Sequence, residues 1–242
     1  MPMGGLGQRF RAVGVTVPKP LIEVDGEPMF RKALHSFSAS PWKMKLISVI
    51  RVEDDNEFGI GAEIEKAWEG AEIIRMSGST RGAVETALKA EPVLNRDQPL
   101  VILDCDIAFE SSEYFQLIDK AMSVGSEGVL LSFTSRDPRY SYARADGSGR
   151  VSMTAEKNPI SSNALMGAYF FSCAGTFVDA AHELVTQQLS AAMPEFYVSL
   201  IFNILIAKGK RIDLATGDFY CFGTPEELAD YERTGAPVGL SE

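Results

Sequence analysis

The first residues of the chain have the types and the spacing needed to bind a triphosphate. Gly4, Gly5 and Gly7 form a glycine-rich turn. Because glycine has no Cβ atom, successive backbone N–H groups can converge there on anionic oxygens. Arg9 follows the turn and can neutralise bridging phosphates, while two prolines fix the backbone that presents Lys19 to a second anionic group. The pattern predicts a phosphate-binding loop.

A second set of polar residues is a pair of carboxylates after an apolar run. Asp104 and Asp106 follow the run Leu100–Leu103. Carboxylates at the C-terminal end of a parallel strand lie in the crevice where α/β folds bind ligands. Mg²⁺ takes one or two carboxylates together with phosphate oxygens. From the residues alone, the pair is either part of a magnesium site or the solvated end of a strand.

Composition narrows the class of protein. The chain has 242 residues, of which 45% are hydrophobic, and a formal net charge of −10. The length suits one α/β domain over residues 1–242, and the negative charge argues against nucleic acid as a partner. We expect a cytoplasmic protein with no membrane partner, because the sequence shows no signal peptide and no apolar run of about 18 residues. Three scattered cysteines, Cys105, Cys173 and Cys221, suggest neither a disulfide framework nor a zinc site.

The order of apolar and helix-patterned segments predicts the fold class. Their alternation is typical of an α/β, Rossmann-like three-layer sandwich with a mostly parallel mixed sheet. Strands are predicted at residues 46–52, 71–76, 99–103, 128–134, 150–155, 165–171 and 210–215. Helices are predicted at residues 60–69, 83–90, 111–123, 176–189, 195–208 and 224–231.

The first strand of this fold is expected to be truncated. In nucleotide-binding α/β folds the glycine loop follows the first β-strand, yet only three residues precede Gly4. A missing central strand would leave unpaired backbone groups on its neighbours. Either the natural chain begins several residues earlier or the fold tolerates a very short first strand, and we expect the former.

The opening resembles the sugar-1-phosphate nucleotidyltransferases, also called nucleoside-diphosphate-sugar pyrophosphorylases. Their pattern G-G-x-G-x-R matches residues 4–9, P-K-P-L matches residues 18–21, and a short G-x-P turn matches residues 26–28. The resemblance implies that Gly4, Gly5, Leu6 and Gly7 bind the nucleotide. It also implies that Arg9 stabilises the leaving pyrophosphate, that Lys19 holds the α-phosphate region and that Asp106 binds Mg²⁺.

Residues 78–86 resemble the segment of this family that lines the base and the ribose. The resemblance implies that Gly82 lies close to the nucleobase and that Glu85 caps or contacts the ligand. The same residues also fit an ordinary helix N-terminus with Ser79 or Thr80 as its cap. Both interpretations stay open at this point.

Residues 155–159 (A-E-K-N-P) resemble the E-K-P motif of the family. The resemblance implies that Glu156 accepts hydrogen bonds from sugar hydroxyls and that Lys157 binds the sugar 1-phosphate. A carboxylate and an ammonium suit these two tasks. It also implies that Gly167 lets the sugar approach its strand and that Asn163 contacts the sugar.

The C-terminal motif departs from the family pattern at one position. Residues 222–228 (F-G-T-P-E-E-L) match, but Cys221 stands where many members have a second aspartate for the metal. A neutral thiol is a poor ligand for Mg²⁺. The departure leaves open a metal held by Asp106, phosphates and water, a substitute carboxylate such as Asp218, or weakened catalysis.

The resemblance implies transfer of a nucleoside monophosphate from a nucleoside triphosphate to a sugar 1-phosphate, which gives a nucleoside-diphosphate sugar and pyrophosphate. The motifs at residues 156–161, 195–197 and 222–228 are similar to those of the capsule- and lipopolysaccharide-associated members, which implies a role in surface polysaccharide synthesis. Two alternatives stay open: a cytidylyltransferase for a non-sugar phosphate such as phosphocholine, and a non-catalytic binder of nucleotide or sugar phosphate. The residues also leave open the base, the sugar and a homo-oligomeric state.

Overall fold

A computed structural model describes residues 1–190 and 194–239 of the chain. It shows an α/β protein whose chain divides into two compact units. The first unit comprises Met1–Thr80, Leu103–Phe109 and the chain from Phe219 onward, and the second comprises Arg81–Ile102 and Glu110–Asp218. The α/β class predicted from the sequence is confirmed, while a single functional domain over residues 1–242 stays a prediction.

The elements are numbered in chain order. The strands are β1 (Pro2–Met3), β2 (Glu23–Val24), β3 (Glu27–Pro28), β4 (Ile47–Arg51), β5 (Glu72–Met76), β6 (Leu100–Leu103), β7 (Ile107–Glu110), β8 (Gly128–Thr134), β9 (Ser141–Ala145), β10 (Val151–Glu156), β11 (Asn163–Phe171), β12 (Ile212–Thr216) and β13 (Asp218–Cys221). The α-helices are α1 (Gln8–Ala12), α2 (Met29–His35), α3 (Val52–Phe58), α4 (Ile60–Ala67), α5 (Ala83–Leu88), α6 (Ser112–Val124), α7 (Ala174–Val185), α8 (Val198–Ala207) and α9 (Pro225–Thr234).

The first unit is built on a parallel three-stranded sheet in the order β1-β4-β5. Met3, Ile50 and Ile64 belong to the apolar cluster that packs this sheet against its helices. Because the strands are parallel, their C-terminal ends share one edge of the sheet. The glycine loop that begins at Gly4 leaves the sheet at that edge, directly after β1.

The first strand is two residues long, as the short sequence before the loop predicts. It pairs with the middle of β4, where Met3 lies opposite Ile50. Pairing extends to the first residue, since the backbone N–H of Val49 donates to the Met1 carbonyl at 3.0 Å and the Met1 amine donates to the Ile47 carbonyl at 2.8 Å. These bonds fix the direction in which the chain enters the loop.

The second unit contains a six-stranded mixed sheet. Its strand order is β10-β9-β11-β8-β12, with β6 beside β11. Strand β12 runs parallel to β8, whereas β8, β11, β9 and β10 pair antiparallel. Antiparallel pairing is thus more frequent in this sheet than we predicted, since we expected a mostly parallel sheet. The reason is that β8 to β11 follow one another without a helix between them, and parallel neighbours need a long crossover connection.

Helix α8 is locked onto β10 by polar bonds. The Asn203 side chain accepts from the backbone N–H of Thr154 at 2.8 Å and donates to its carbonyl at 2.9 Å. The Thr154 hydroxyl donates to the Ser199 carbonyl at 2.8 Å. Phe202, on the same helix, stacks on Phe171 of the sheet with ring centroids 4.8 Å apart. The end of β10 is therefore held in register with the start of α8.

One predicted helix start is wrong for an identifiable reason. The helix expected at residues 83–90 begins at Ala83 as predicted, whereas the helix expected at residues 195–208 begins only at Val198, after extended backbone. There the backbone N–H of Phe196 donates to the Arg81 carbonyl at 2.8 Å, and the Val84 N–H donates to the Phe196 carbonyl at 3.1 Å. These bonds keep residues 195–197 out of the helix.

None of the helices formed by residues 1–190 and 194–239 is long and apolar enough to cross a bilayer.

Candidate active site

The glycine loop of the first unit lies against Lys19. Gly7 has φ of +61°, in the left-handed region, and begins α1. A Cβ atom on Gly7 would lie 3.4 Å from the Lys19 Cβ, so the loop packs closely on the lysine backbone. Gly5 has open space where a Cβ atom would stand, and Leu6 is exposed. Gly5 and Leu6 thus leave the backbone of the predicted loop approachable from one side, while Gly4 is buried.

Helix α1 presents Arg9 to solvent. The next residue, Phe10, is buried in an apolar cluster that includes Phe222 and Leu228, and it anchors the helix. Within the part of the chain that the structure describes, the Arg9 side chain forms no hydrogen bond or ion pair. Arg11 differs, because its Nε donates to the Leu6 carbonyl at 2.9 Å and steadies the loop. The Arg9 guanidinium is therefore available to an anion.

Lys19 and Asp106 form an ion pair, although they lie far apart in the sequence. A 3₁₀ turn over Lys19–Leu21 presents the lysine, and its Nζ donates to Asp106 Oδ2 at 2.5 Å. Each side chain is 21% exposed. Burial has the largest single effect and lowers the pKa of Lys19, but the charge of Asp106, the hydrogen bond to it and the neighbouring thiols together outweigh burial, so the pKa lies above its ordinary value. Lys19 is therefore a firmly charged ammonium at neutral pH.

A further carboxylate, Glu227, reaches the same place and was not predicted from the sequence. A Cβ atom on Gly223 would lie 3.1 Å from Asp106 Oδ2, 3.1 Å from Glu227 Oε2 and 3.6 Å from Cys221 Sγ. Glycine at position 223 thus leaves a small space bordered by two carboxylates and a thiol. Burial, reinforced by the charges of Glu227 and Asp106, raises the pKa of the Cys221 thiol well above its ordinary value.

The start of α9 places Glu227. Thr224 is the N-cap, and its hydroxyl accepts from the Glu227 backbone N–H at 3.2 Å. The spacing T-x-x-E is that of a capping box, which was the available signal for this residue. Asp218, the substitute suggested from the sequence, is exposed at the first position of β13. The atoms nearest to the open side of Gly223 come from Asp106, Glu227 and Cys221.

Glu156 ends β10 in the second unit. The hydroxyls of Ser141 and Ser199 both donate to its Oε1. Within the described residues, its Oε2 accepts no hydrogen bond. Burial raises the pKa of Glu156 above its ordinary value, and the two serine bonds oppose this only in part. One oxygen is thus fixed by the protein and the other is left to accept from a ligand.

Lys157 follows in a left-handed conformation, with φ of +51°. Its backbone N–H donates to the Tyr140 carbonyl at 3.1 Å. Its Nζ donates to the Tyr197 hydroxyl at 3.1 Å and lies 5.4 Å from the centre of that ring. The structure therefore places the two residues of the predicted acceptor motif side by side, each with its own support.

Asn163 and Gly167 lie on β11. The Asn163 Nδ2 donates to the Ala143 carbonyl at 3.3 Å, which ties the start of β11 to β9. Gly167 has φ of +86°, and the register of β11 on β8 shifts between Leu165 and Tyr169. The bulge needs a glycine for its backbone conformation. Contact of either residue with a sugar stays a prediction.

Gly82 and Glu85 have structural partners of their own. A Cβ atom on Gly82 would lie 2.7 Å from the Phe196 nitrogen and 2.8 Å from its carbonyl oxygen, so this backbone alone requires a glycine. Glu85 accepts from the Arg81 backbone N–H at 2.7 Å and from its Nε at 2.8 Å. The Arg81 guanidinium lowers the pKa of Glu85. A role of Gly82 and Glu85 in nucleotide binding stays a prediction.

The expected cap of α5 is wrong. Its N-cap is Gly82, and neither Ser79 nor Thr80 occupies that position. The Glu85 carboxylate supplies the acceptor for an N–H at the helix start instead. The helix itself begins at Ala83 as predicted, and the backbone of Phe196 holds this start by hydrogen bonds to Arg81 and Val84.

Comparisons with known proteins agree with these features. Residues 3–200 match the family model described as nucleotidyl transferase. The fold is similar to a nucleoside-diphosphate-sugar pyrophosphorylase from Vibrio cholerae RC9, with 26% identity, a TM-score of 0.83 and coverage of 96% of this chain and 98% of that one.

Two more distant structures share the fold. One is described as a putative glucose-1-phosphate thymidylyltransferase from Bacillus anthracis in complex with a sucrose, with 18% identity, a TM-score of 0.74 and coverage of 99% and 95%. The other is a UDP-glucose pyrophosphorylase from Acinetobacter baumanii, with 13% identity, a TM-score of 0.67 and coverage of 95% and 90%. A search of curated protein sequences found no significant match.

Proposed function

Since the chain belongs to the nucleotidyl transferase family, we propose that it transfers a nucleoside monophosphate from a nucleoside triphosphate to a sugar 1-phosphate. The observation that carries the proposal is the Lys19–Asp106 ion pair, which lies against the open glycine loop. The similarity to the Vibrio cholerae pyrophosphorylase supports the choice of a sugar phosphate as acceptor.

The first unit binds the donor. Backbone N–H groups of residues 4–7 bind the triphosphate, and the Arg9 guanidinium neutralises the pyrophosphate as it leaves. Lys19 holds the α-phosphate, because its ammonium stays charged beside Asp106. Gly82 and Glu85, which the resemblance assigns to the base and the ribose, belong to the second unit.

The residues around Gly223 fit a Mg²⁺ ion. No group of three or more His, Cys, Asp or Glu side chains within residues 1–190 and 194–239 is arranged to hold a metal. Mg²⁺, however, commonly takes only one or two carboxylates and completes its shell with water and phosphate oxygens. Asp106 and Glu227 would hold the ion. Asp106 already binds one cation in this structure, the ammonium of Lys19. When bound, the ion stabilises charge on the α-phosphate as the new bond forms.

The second unit binds the acceptor. The free Oε2 of Glu156 accepts from a sugar hydroxyl, Lys157 binds the phosphate, and Asn163 and Gly167 line the sugar. An oxygen of the sugar phosphate attacks the α-phosphorus, and the bond to the β-phosphate oxygen breaks to release pyrophosphate. The nucleophile is already an anion, so no general base is needed. Rate enhancement then comes from positioning and charge neutralisation.

We place this activity in the cytoplasm and in the supply of activated sugar for surface polysaccharide. The support is the likeness of residues 156–161 and 222–228 to the capsule- and lipopolysaccharide-associated members. Cys221 favours a second candidate, a non-catalytic binder of the same ligands, because a thiol replaces the usual carboxylate at that position.

A pyrophosphate-release assay with four nucleoside triphosphates against several sugar 1-phosphates and phosphocholine tests the proposal. Isothermal titration with each triphosphate runs beside it. We expect one triphosphate and one sugar phosphate to give turnover that stops with a chelator. Turnover with phosphocholine alone would identify a cytidylyltransferase for that substrate. Tight triphosphate binding without pyrophosphate release from any pair would identify a binder.

A further inference from the structure

The segment just before α8 carries a tyrosine that the proposed function has not used. Tyr197 is half-buried and is the N-cap of α8. Its hydroxyl accepts a hydrogen bond from Lys157 Nζ at 3.1 Å, and the ammonium lies 5.4 Å from the ring centre. Both contacts orient the ammonium.

The Tyr197 hydroxyl still has a proton to donate. A phenol can accept and donate at the same time, and a lysine ammonium has three N–H donors. Among the residues that the structure describes, nothing accepts the Tyr197 proton, and Lys157 Nζ donates only to Tyr197. Two donors, one of them charged, thus stand 3.1 Å apart with unused capacity. This arrangement suits the oxygens of a phosphate monoester.

The pair is held in place by the protein around it. Lys157 has a left-handed backbone, which is uncommon for a residue with a side chain and persists only where the surroundings impose it. The Tyr140 carbonyl holds its N–H at 3.1 Å. On the other side, Ser199 donates to Glu156 from the first turn of α8, two residues after Tyr197. Neighbouring residues of α8 thus support neighbouring residues of β10.

We propose that Tyr197 binds the phosphate of the acceptor together with Lys157. Its O–H donates to a phosphate oxygen, while its oxygen keeps the bond that aims the Lys157 ammonium. Glu156 lies next to this pair with one free carboxylate oxygen, so the ligand class is a phosphate monoester that carries hydroxyl groups. The inference rests on the proposed function and adds a residue to its acceptor subsite.

Tyr197→Phe is the test, because it removes the hydroxyl and keeps the ring under the ammonium. Tyr231→Phe is the matched control, since it deletes the hydroxyl of another half-buried tyrosine, which donates to Asp25. Calorimetric titration of the full chain with inorganic phosphate and with glucose 1-phosphate measures binding without turnover. Tyr197→Phe should weaken binding roughly 10- to 100-fold, the range for hydrogen bonds to charged groups, and Tyr231→Phe should not.

Kinetics with the acceptor that turns over separate a binding role of Tyr197 from a structural one. In Tyr197→Phe, the KM for the acceptor should rise by about the same factor as the dissociation constant, while the KM for the triphosphate stays unchanged. Tyr197→Leu should lose more, because the ring contact with Lys157 goes as well. Melting temperatures of all variants identify any loss of folding.

The outcomes separate this inference from the proposed function. If Tyr197→Phe binds as the wild type does while Lys157→Met loses binding, Tyr197 has no part in the subsite and the proposed function stands. Equal weakening of acceptor and triphosphate would assign Tyr197 a structural role and overturn the inference. If Lys157→Met also keeps full affinity for both probes, the acceptor subsite of the proposed function is itself wrong.

Discussion

Replacing Glu227 by glutamine should distinguish two effects of the neighbouring carboxylates Asp106 and Glu227. Their mutual repulsion lowers the stability of the metal-free protein, while together they serve as metal ligands. Asp106 Oδ2 and Glu227 Oε2 each lie 3.1 Å from one point, the Cβ position of Gly223, so they are close together. Two like charges about 6 Å apart repel by roughly 3 kcal/mol at an effective dielectric constant of about 20. Lys19 and solvent screen part of this. Without metal, Glu227→Gln should therefore melt a few degrees higher than the wild type.

With metal bound, the order of the two melting temperatures should reverse. Loss of one carboxylate should weaken Mn²⁺ binding by at least about tenfold, measured by electron paramagnetic resonance of free Mn²⁺ with and without triphosphate. The gain in melting temperature on adding Mg²⁺ should shrink in parallel. Glu226→Gln is the control, because it makes the same charge change at the neighbouring exposed position.

A second substitution makes the test sharper. Cys221 Sγ lies 3.6 Å from the same Cβ position, so Cys221→Asp in the Glu227→Gln background returns a carboxylate to the space. The double variant should recover Mn²⁺ binding. If Glu227→Gln binds Mn²⁺ as the wild type does while Asp106→Asn does not, Glu227 lies outside the coordination sphere. If neither variant changes binding, the metal site has been placed wrongly.

Other outcomes follow from the same contacts. Arg9→Ala and Lys157→Ala should each lower kcat/KM by roughly two to four orders of magnitude, with the triphosphate affected in the first and the acceptor in the second; wild-type kinetics would contradict both assignments. Gly82→Ala should destabilise the protein by roughly 1–3 kcal/mol, because a neighbouring backbone nitrogen lies 2.7 Å from the Cβ position. Gly78→Ala has a left-handed φ but open space, so it should cost less in chemical denaturation. Burial raises the pKa of Glu156 above its ordinary 4.5, so ionising it costs folded stability as pH rises. Glu156→Gln should therefore melt higher than the wild type at pH 8, and the difference should fade below about pH 4; a constant difference at all pH values would argue against the raised pKa.

Much of the site follows from local sequence. Gly7 and Lys19 are predictable because a left-handed turn and proline-fixed backbone are properties of neighbouring residues. Asp106 is predictable as a candidate because carboxylates that follow an apolar strand commonly lie at the ligand-binding edge of an α/β fold. The position of Glu227 is less predictable. Its capping-box spacing indicates the start of a helix but does not indicate which distant side chains that helix contacts.

The strands that were missed show the same limit. Strands β7 and β13 are four residues long each, and they pair with each other although they lie far apart in the sequence. Strands β2 and β3 are two residues long each, and β9 pairs with β10 and β11, which follow it in the chain. A short segment has too little periodicity to identify its own pairing.

The sequence by itself determined the α/β class, the glycine loop, the candidate residues Arg9, Lys19 and Asp106, and the Glu156-Lys157 pair. These features depend on residue type and local conformation. Only the tertiary structure decided that Gly82 is needed by the backbone of Phe196, that Glu227 stands beside Asp106, and that Tyr197 supports Lys157. Each of these depends on how distant segments pack, because the nearest atom to a residue in space is set by the fold and not by its neighbours in the chain.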